Sequence, residues 1–283
     1  MRPRPFQYHH PASQGEAFDL FEQWPDECMY YAGGTEAMIA LKERVIAYEH
    51  LINLKGIDGL GDIAQKDGRL EIGALVTHQQ LADSVLVQRL LPGYARLSDH
   101  IANIRVRETG TLAGNLCFGE PHADPPAMLA ALGASVRLAA QGTERELPVA
   151  DFLLGDYAAD LEEGEMLQAI CIPLPARPFR AWYQKFVHLH RPAAGVAAAC
   201  FEQHDGSVQW EVWAGSLTGR PERLGALCEL LGGASRPQEQ DMYEAAIQDL
   251  EPLDVPDGNY GTGEYRKHLS AVLAGRAIKE CWQ

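Results

Sequence analysis

Tyr31-Ala32-Gly33-Gly34-Thr35-Glu36-Ala37 lies between residues 29–31, which suit a strand, and a run in which Ala37, Met38, Ala40 and Leu41 suit a helix through about Glu43. Glycines there let the backbone approach a ligand closely, and its amides can converge on an anion beyond the helix N-terminus. A second stretch has the same character. Thr111-Leu112-Ala113-Gly114-Asn115 belongs to a glycine-containing segment, 111–117, read as extended, with acidic Glu120 and Asp124 close behind. Taken singly, most such patterns are plain turns; together the two suggest a diphosphate held from two sides. A third glycine motif fails. Gly59-Leu60-Gly61-Asp62-Ile63-Ala64 fits G-x-G-x-x-A, but Gln65-Lys66-Asp67-Gly68 forms a turn where a dinucleotide fingerprint requires a long helix.

Around these loops the chain falls into blocks. Residues 6–54 suggest a helix over 14–23, strands at 29–31 and 50–54, and the helix after the first loop. Residues 56–175 open with a hairpin at Asp67-Gly68, before Leu70-Glu71-Ile72-Gly73. Helices at 78–84, 89–99 and 126–133 follow, then strands at 135–139 and 166–172. Pro173-Leu174-Pro175-Ala176-Arg177-Pro178 marks a boundary. Beyond it, strands are expected at 181–190, 196–203 and 207–215, and helices at 222–231, 238–247 and 264–280. Strands followed by helices within each block indicate an α+β fold.

The 283 residues are 46% hydrophobic and 22% charged, as in ordinary globular proteins, and suffice for two domains. Twenty-four Lys and Arg against 39 Asp and Glu give a net charge of −15, which argues against a nucleic-acid partner. The most apolar stretch, near 193–201, is too short to cross a bilayer, and no apolar segment follows Met1-Arg2-Pro3-Arg4-Pro5; a cytoplasmic protein without a membrane span is expected. Cys28, Cys117, Cys171, Cys200, Cys228 and Cys281 are never closer than 28 positions, so no local iron–sulfur or zinc loop exists, and buried reduced thiols are expected. His188 and His190 would share a strand face but lack further ligands, and no metal site is expected. His122 could sit near a bound cofactor, though a loop histidine is more often solvated, and Trp24, Trp182, Trp210 and Trp213 read as core or interface anchors.

The chain resembles the FAD-binding medium subunit of the molybdenum hydroxylases, the carbon monoxide dehydrogenase and xanthine dehydrogenase group. The first loop carries the likeness, with Lys42-Glu43-Arg44 and Glu49-His50-Leu51-Ile52-Asn53-Leu54 behind it. Val106-Arg107-Glu108-Thr109-Gly110-Thr111-Leu112-Ala113-Gly114-Asn115-Leu116 and Gly119-Glu120-Pro121-His122-Ala123-Asp124-Pro125-Pro126 continue it. Asp151-Phe152, Glu163-Gly164-Glu165-Met166-Leu167, Tyr183-Gln184-Lys185 and Glu264-Tyr265-Arg266 extend it to the C-terminal helix.

The resemblance implies an FAD-binding domain of the vanillyl-alcohol-oxidase (PCMH) type over residues 1–176, with lobes of about 1–55 and 56–176. A small α+β domain of the carbon monoxide dehydrogenase flavoprotein type would follow over 177–283. Ala32, Gly33, Gly34, Thr35 and Glu36 in one loop, and Thr111, Leu112, Ala113 and Gly114 in the other, would surround the FAD pyrophosphate. Asn115 would add side-chain hydrogen bonds, Glu120 would stand near the cofactor, Asp124 would accept from its sugar-alcohol hydroxyls, and Lys185 would face the flavin side. No catalytic side chain is implied, because the flavin provides the chemistry. Implied partners are a molybdopterin-binding large subunit and a small subunit with 2Fe-2S clusters, in a dimer of heterotrimers, from which this chain passes electrons to a terminal acceptor. Glu36 replaces a small hydroxyl residue, Ala113 a glycine, and Glu120 an aspartate. Where some relatives carry a flavin-covering aromatic, this chain has Ala193, which makes residues 188–195 the expected control point for acceptor entry. A self-sufficient small flavin oxidoreductase and a scaffold that has lost FAD stay open as alternatives.

Overall fold

The computed structural model describes residues 2–188, 191–233 and 236–283. The first lobe runs β1 (Gln7–His9), α1 (Gln14–Gln23), β2 (Cys28–Tyr31), α2 (Ala37–Glu43) and β3 (His50–Asn53). Its strands form a sheet in the order β1-β3-β2, both pairings parallel, as crossover helices allow. α1 starts at Ser13, whose hydroxyl accepts from the Glu16 amide at 3.2 Å. The middle strand β3 is buried along its length.

The second lobe begins with β4 (Ile63–Lys66) and β5 (Arg69–Gly73), joined by Asp67 (φ 49°) and Gly68 (φ 72°), the positive pair that a two-residue hairpin turn requires. Six helices follow: α3 (His78–Asp83), α4 (Val85–Leu90), α5 (Pro92–Asp99), α6 (Ile104–Thr109), α7 (Leu112–Phe118) and α8 (Pro125–Ala131). Then come β6 (Ser135–Ala140), β7 (Thr143–Pro148), α9 (Val149–Phe152), β8 (Leu153–Gly155), β9 (Ala158–Ala159) and β10 (Met166–Pro173). The main sheet is antiparallel in the order β4-β5-β10-β6-β7. Ala17, Phe18 and Ile52 of the first lobe share one core with Leu70, Ile72 and Ile170 of the second.

Two expectations for this lobe are corrected. The single helix over 89–99 is broken at Leu91, because Pro92 takes the first position of a new helix, where its missing N–H costs nothing. The segment 111–117 is helical. Thr111 Oγ1 caps α7 by accepting from the Gly114 amide at 3.0 Å, and Gly119, at φ 64°, closes it. Ala113 therefore stands in a helix, where a Cβ brings no strain.

The remaining elements are β11 (Phe179–His188), β12 (Arg191–Glu202), β13 (Val208–Gly215), β14 (Glu222–Arg223), α10 (Gly225–Leu231), α11 (Glu239–Leu250) and α12 (Gly263–Cys281). The expected helix over 222–231 begins only at Gly225, since Glu222 and Arg223 pair with β13. This antiparallel sheet has the order β11-β12-β13-β14. Strand β12 serves two cores by period-two alternation: Ala197 and Ala199 pack into the core of the preceding lobes, and Ala194, Val196 and Ala198 into the core beneath α10–α12. All six cysteines are unpaired. Among the described residues, no helix is long and apolar enough to cross a membrane.

Candidate cofactor site

The two glycine loops touch. A Cβ on Gly33 would collide with the Thr109 carbonyl oxygen and stand 3.0 Å from both Gly110 Cα and the Thr111 nitrogen. Only glycine allows the first loop to lie this close on the second. Gly34 has φ +79° and lies under the Tyr31 phenol, which occupies the place of any side chain there. The second loop is anchored from behind, where the His78 amide donates to Gly110 O and the Leu112 amide to Val76 O, both at 3.1 Å. His78 is itself buried, and its Nδ1 lacks a partner. Burial, and then the Arg107 charge, lower this imidazole to about 4.

Among the described residues, the amides of Gly33, Gly34, Thr35 and Glu36 find no acceptor, nor do those of Thr111 and Ala113. The Asn115 Oδ1 is buried and unpartnered beside them in α7. Buried polar groups are ordinarily paired, and amides at the heads of α2 and α7 are donors suited to phosphoryl oxygens. This donor set fits a diphosphate-bearing cofactor. Glu36 occupies the N-cap position of α2 with φ −90° and ψ −42°, and its carboxylate makes no capping bond.

The acidic residues behind the second loop have partners of their own. Glu120 accepts from Arg191 Nη1, from Tyr157 Oη at 2.9 Å and from the His122 amide at 3.3 Å. Burial pulls the Arg191 guanidinium down, but Glu120, Tyr157 and Glu36 outweigh it, so the net shift is upward. Asp124, at the head of α8, is buried and accepts from Tyr183 Oη at 2.8 Å and Lys185 Nζ at 2.6 Å. Lys185 also donates to His100 O at 2.9 Å. Burial raises the Asp124 carboxyl against the pull of Lys185 and Tyr183, and burial lifts the Tyr183 hydroxyl well above its ordinary value. The candidate residues thus form three groups: the joined loops, Glu120 with Arg191 and Tyr157, and Asp124 with Tyr183 and Lys185.

Sequence reasoning missed several participants. Tyr183 crosses Gly195, where a Cβ would strike its hydroxyl, so a glycine on one strand seats a tyrosine from the next. Arg266 is buried and donates to Ala193 O and Pro256 O, each at 3.0 Å, and to Ser216 O. Ala193 is fully buried. No aromatic adjoins it in sequence, yet the loop between α11 and α12 brings in Tyr260. The Tyr260 ring packs 4.1 Å from that of His122, whose Nδ1 lies 2.8 Å from Pro192 O. His122 is therefore half-buried against Tyr260 and Pro192 rather than solvated. Leu189 and His190, on which the two-histidine reading and part of the 188–195 stretch depended, lie outside the described residues, as does the His188 side chain.

Two contacting loops of unpaired amides on this fold belong to a flavin-binding oxidoreductase component. The chain belongs to the family described as the FAD binding domain in molybdopterin dehydrogenase, which its residues 4–175 match, and FAD is its cofactor. Over 286 residues it is 30% identical to the carbon monoxide dehydrogenase medium chain of Hydrogenophaga pseudoflava, covering 100% of this chain and 99% of the relative. It is 27% identical to caffeine dehydrogenase subunit beta of Pseudomonas sp., covering 98% and 95%. Among solved structures, a chain of carbon monoxide dehydrogenase from Hydrogenophaga pseudoflava lacking the Mo-pyranopterin moiety superposes with TM-score 0.92, at 28% identity and coverages of 100% and 99%. A chain of quinoline 2-oxidoreductase from Pseudomonas putida 86 gives 0.91, at 27% identity and coverages of 99% and 98%. The chain is an FAD-binding medium subunit of the molybdenum hydroxylase kind.

Proposed function

We propose that this chain is the electron-transfer subunit of a heterotrimeric molybdenum hydroxylase, receiving electrons from 2Fe-2S clusters on a small subunit and delivering them to a terminal acceptor. A molybdopterin-binding large subunit would hydroxylate the substrate, and two heterotrimers would pair. The observation that carries the reading is the contact of the two loops at Gly33 and Thr109, with unpaired amides on both sides of it. The medium-chain and subunit names of the full-length relatives support the partners, as does the wide spacing of this chain's own cysteines.

In this reading residues 1–176 are the FAD-binding unit, with lobes of about 1–55 and 56–176, and 177–283 the C-terminal domain, all working in the cytoplasm. Bound FAD supplies the exchange between one-electron and two-electron carriers. The amides of Gly33, Gly34, Thr35, Glu36, Thr111 and Ala113 hold its diphosphate, with Ala32 and Leu112 shaping the two loops and Gly114 supplying the amide that Thr111 caps. Asn115 Oδ1 accepts a nearby hydroxyl. Each carboxylate oxygen has two acceptor sites, so Asp124 can serve Lys185, Tyr183 and a cofactor hydroxyl together. Lys185 fixes that carboxylate, and Arg191 holds Glu120 while balancing Glu36 near the anion.

Purification from the native host, followed by analysis for FAD, molybdenum and iron, tests this. Co-purification of two further chains with all three cofactors supports it. A flavin-loaded monomer active alone would favour a self-sufficient oxidoreductase, and a colourless chain would favour a scaffold.

A further inference from the structure

Away from the glycine loops, one end of the first sheet gathers a different set of side chains. Glu27 immediately precedes β2, Glu49 immediately precedes β3, and His50 opens β3. One ligand-type atom from each lies within 4.8 Å of the others. Two exposed carboxylates alone would be ordinary acidic surface; His50 changes the character of the group. Its side chain belongs to the buried middle strand and is only 6% exposed. Its Nδ1 lies 2.9 Å from Nε2 of His9 on β1, and the Trp24 ring stacks on it at 4.1 Å with 6° between planes. One ring nitrogen is left. Among the described residues, His50 Nε2 has no hydrogen-bond partner, and neither Glu27 nor Glu49 has a cationic side chain within salt-bridge distance.

The backbone accounts for the convergence. Glu27 O accepts from two successive amides, Glu49 at 2.8 Å and His50 at 3.0 Å. These two bonds pin the entry of β3 to Glu27, just ahead of the parallel pairing of Cys28 with His50, so the three side chains start from one short stretch of joined backbone.

We propose that Glu27, Glu49 and His50 form a binding site for a divalent transition-metal cation of the Zn²⁺ type. One imidazole nitrogen with two carboxylates suits Zn²⁺ or Mn²⁺, whereas Mg²⁺ takes oxygen ligands and keeps its waters. The contact with His9 is the outer hydrogen bond that metal-ligating histidines use to fix their tautomer: Nδ1–H donates to His9 and Nε2 faces the ion. Three protein ligands leave a fourth position for water. An ion held there ties the entry of β2 to the entry of β3, and binding only the folded sheet, it stabilises that sheet by mass action.

The test uses the full-length, FAD-loaded protein stripped of metal by dialysis against a chelator, then titrated with Zn²⁺ against a chelating indicator while thermal unfolding is followed. One equivalent should bind saturably and raise the unfolding temperature. E27Q/E49Q, which alters only exposed groups and keeps all histidines, should weaken binding by more than about a hundredfold, beyond the scale of outer-shell changes, and abolish the thermal shift at unchanged FAD content. If that variant loses FAD, E49Q alone is measured in the same way and should show the same direction of change. Absence of saturable binding in the unmodified chain, or equal affinity in the variants, overturns the proposal. An equal effect of Mg²⁺ overturns the choice of ion.

Discussion

Lys185 Nζ lies 2.6 Å from Asp124 Oδ2, so a cation on β11 neutralises the carboxylate at the head of α8. The other oxygen, Oδ1, belongs to Tyr183, two residues away on the same strand. A buried carboxylate with two donors from one neighbouring strand ties the flavin unit to the C-terminal sheet as well as presenting acceptor sites. Asp124→Ala strands both donors. Removing one partner of a buried pair costs about 3–5 kcal/mol, and the lower end applies here because the lysine retains His100 O. Urea unfolding and FAD content should both fall; unchanged stability with lowered FAD content would confine Asp124 to the cofactor.

Gly33→Val drives a branched side chain into the backbone of the second loop. The loops must separate, so FAD content should fall to background and the unfolding midpoint should drop as well. Gly114→Val is milder. Its Cβ would stand 2.9 Å from Thr111 Oγ1, disturbing a cap worth about 1 kcal/mol. Spectrophotometric FAD-to-protein ratios should therefore rank the parent above Gly114→Val, and Gly114→Val above Gly33→Val.

His78 makes the second loop sensitive to acid. Its folded value of about 4 lies below the ordinary 6.5, so the unfolded chain binds the proton first. Stability present above pH 6.5 is lost as pH falls toward 4, by about 3 kcal/mol in all. Denaturant titrations at stepped pH should show that slope, and His78→Leu should flatten it.

Arg266 satisfies three backbone carbonyls, one of them belonging to fully buried Ala193. Arg266→Met should lower stability by about 3 kcal/mol, the scale of buried acceptors left without a charged donor. Ala193→Tyr should also destabilise, by about 1–3 kcal/mol, because the position is already filled. Thermal unfolding measures both. A tyrosine accommodated without loss, slowing only flavin reoxidation, would restore the acceptor-control role expected for this stretch.

Much of the fold was legible because its signals are local. The helix expected over 14–23 has the bounds of α1, and Asp67-Gly68 announces the β4–β5 turn. Helix α7 was hidden by Gly114 and Asn115, poor helix formers, although Thr111 was its cap all along. The parallel pairing of β1 with β3 joins residues far apart in sequence and left no local mark. In the site, the glycine motifs named both loops, but that they lie on one another depends on Gly33 meeting Thr109. Tyr183 looked like a strand residue because its hydroxyl finds Asp124 only after β11 docks against α8.

Strand β12 turns alternate side chains into two cores, one beneath the flavin unit and one beneath α12. The proline-rich link at 173–178 is thus a seam in sequence without being a hinge in space. A protease nick there should leave two fragments that migrate together and melt in one transition, since they cannot part without exposing Ala197, Ala199 and the core they fill to water.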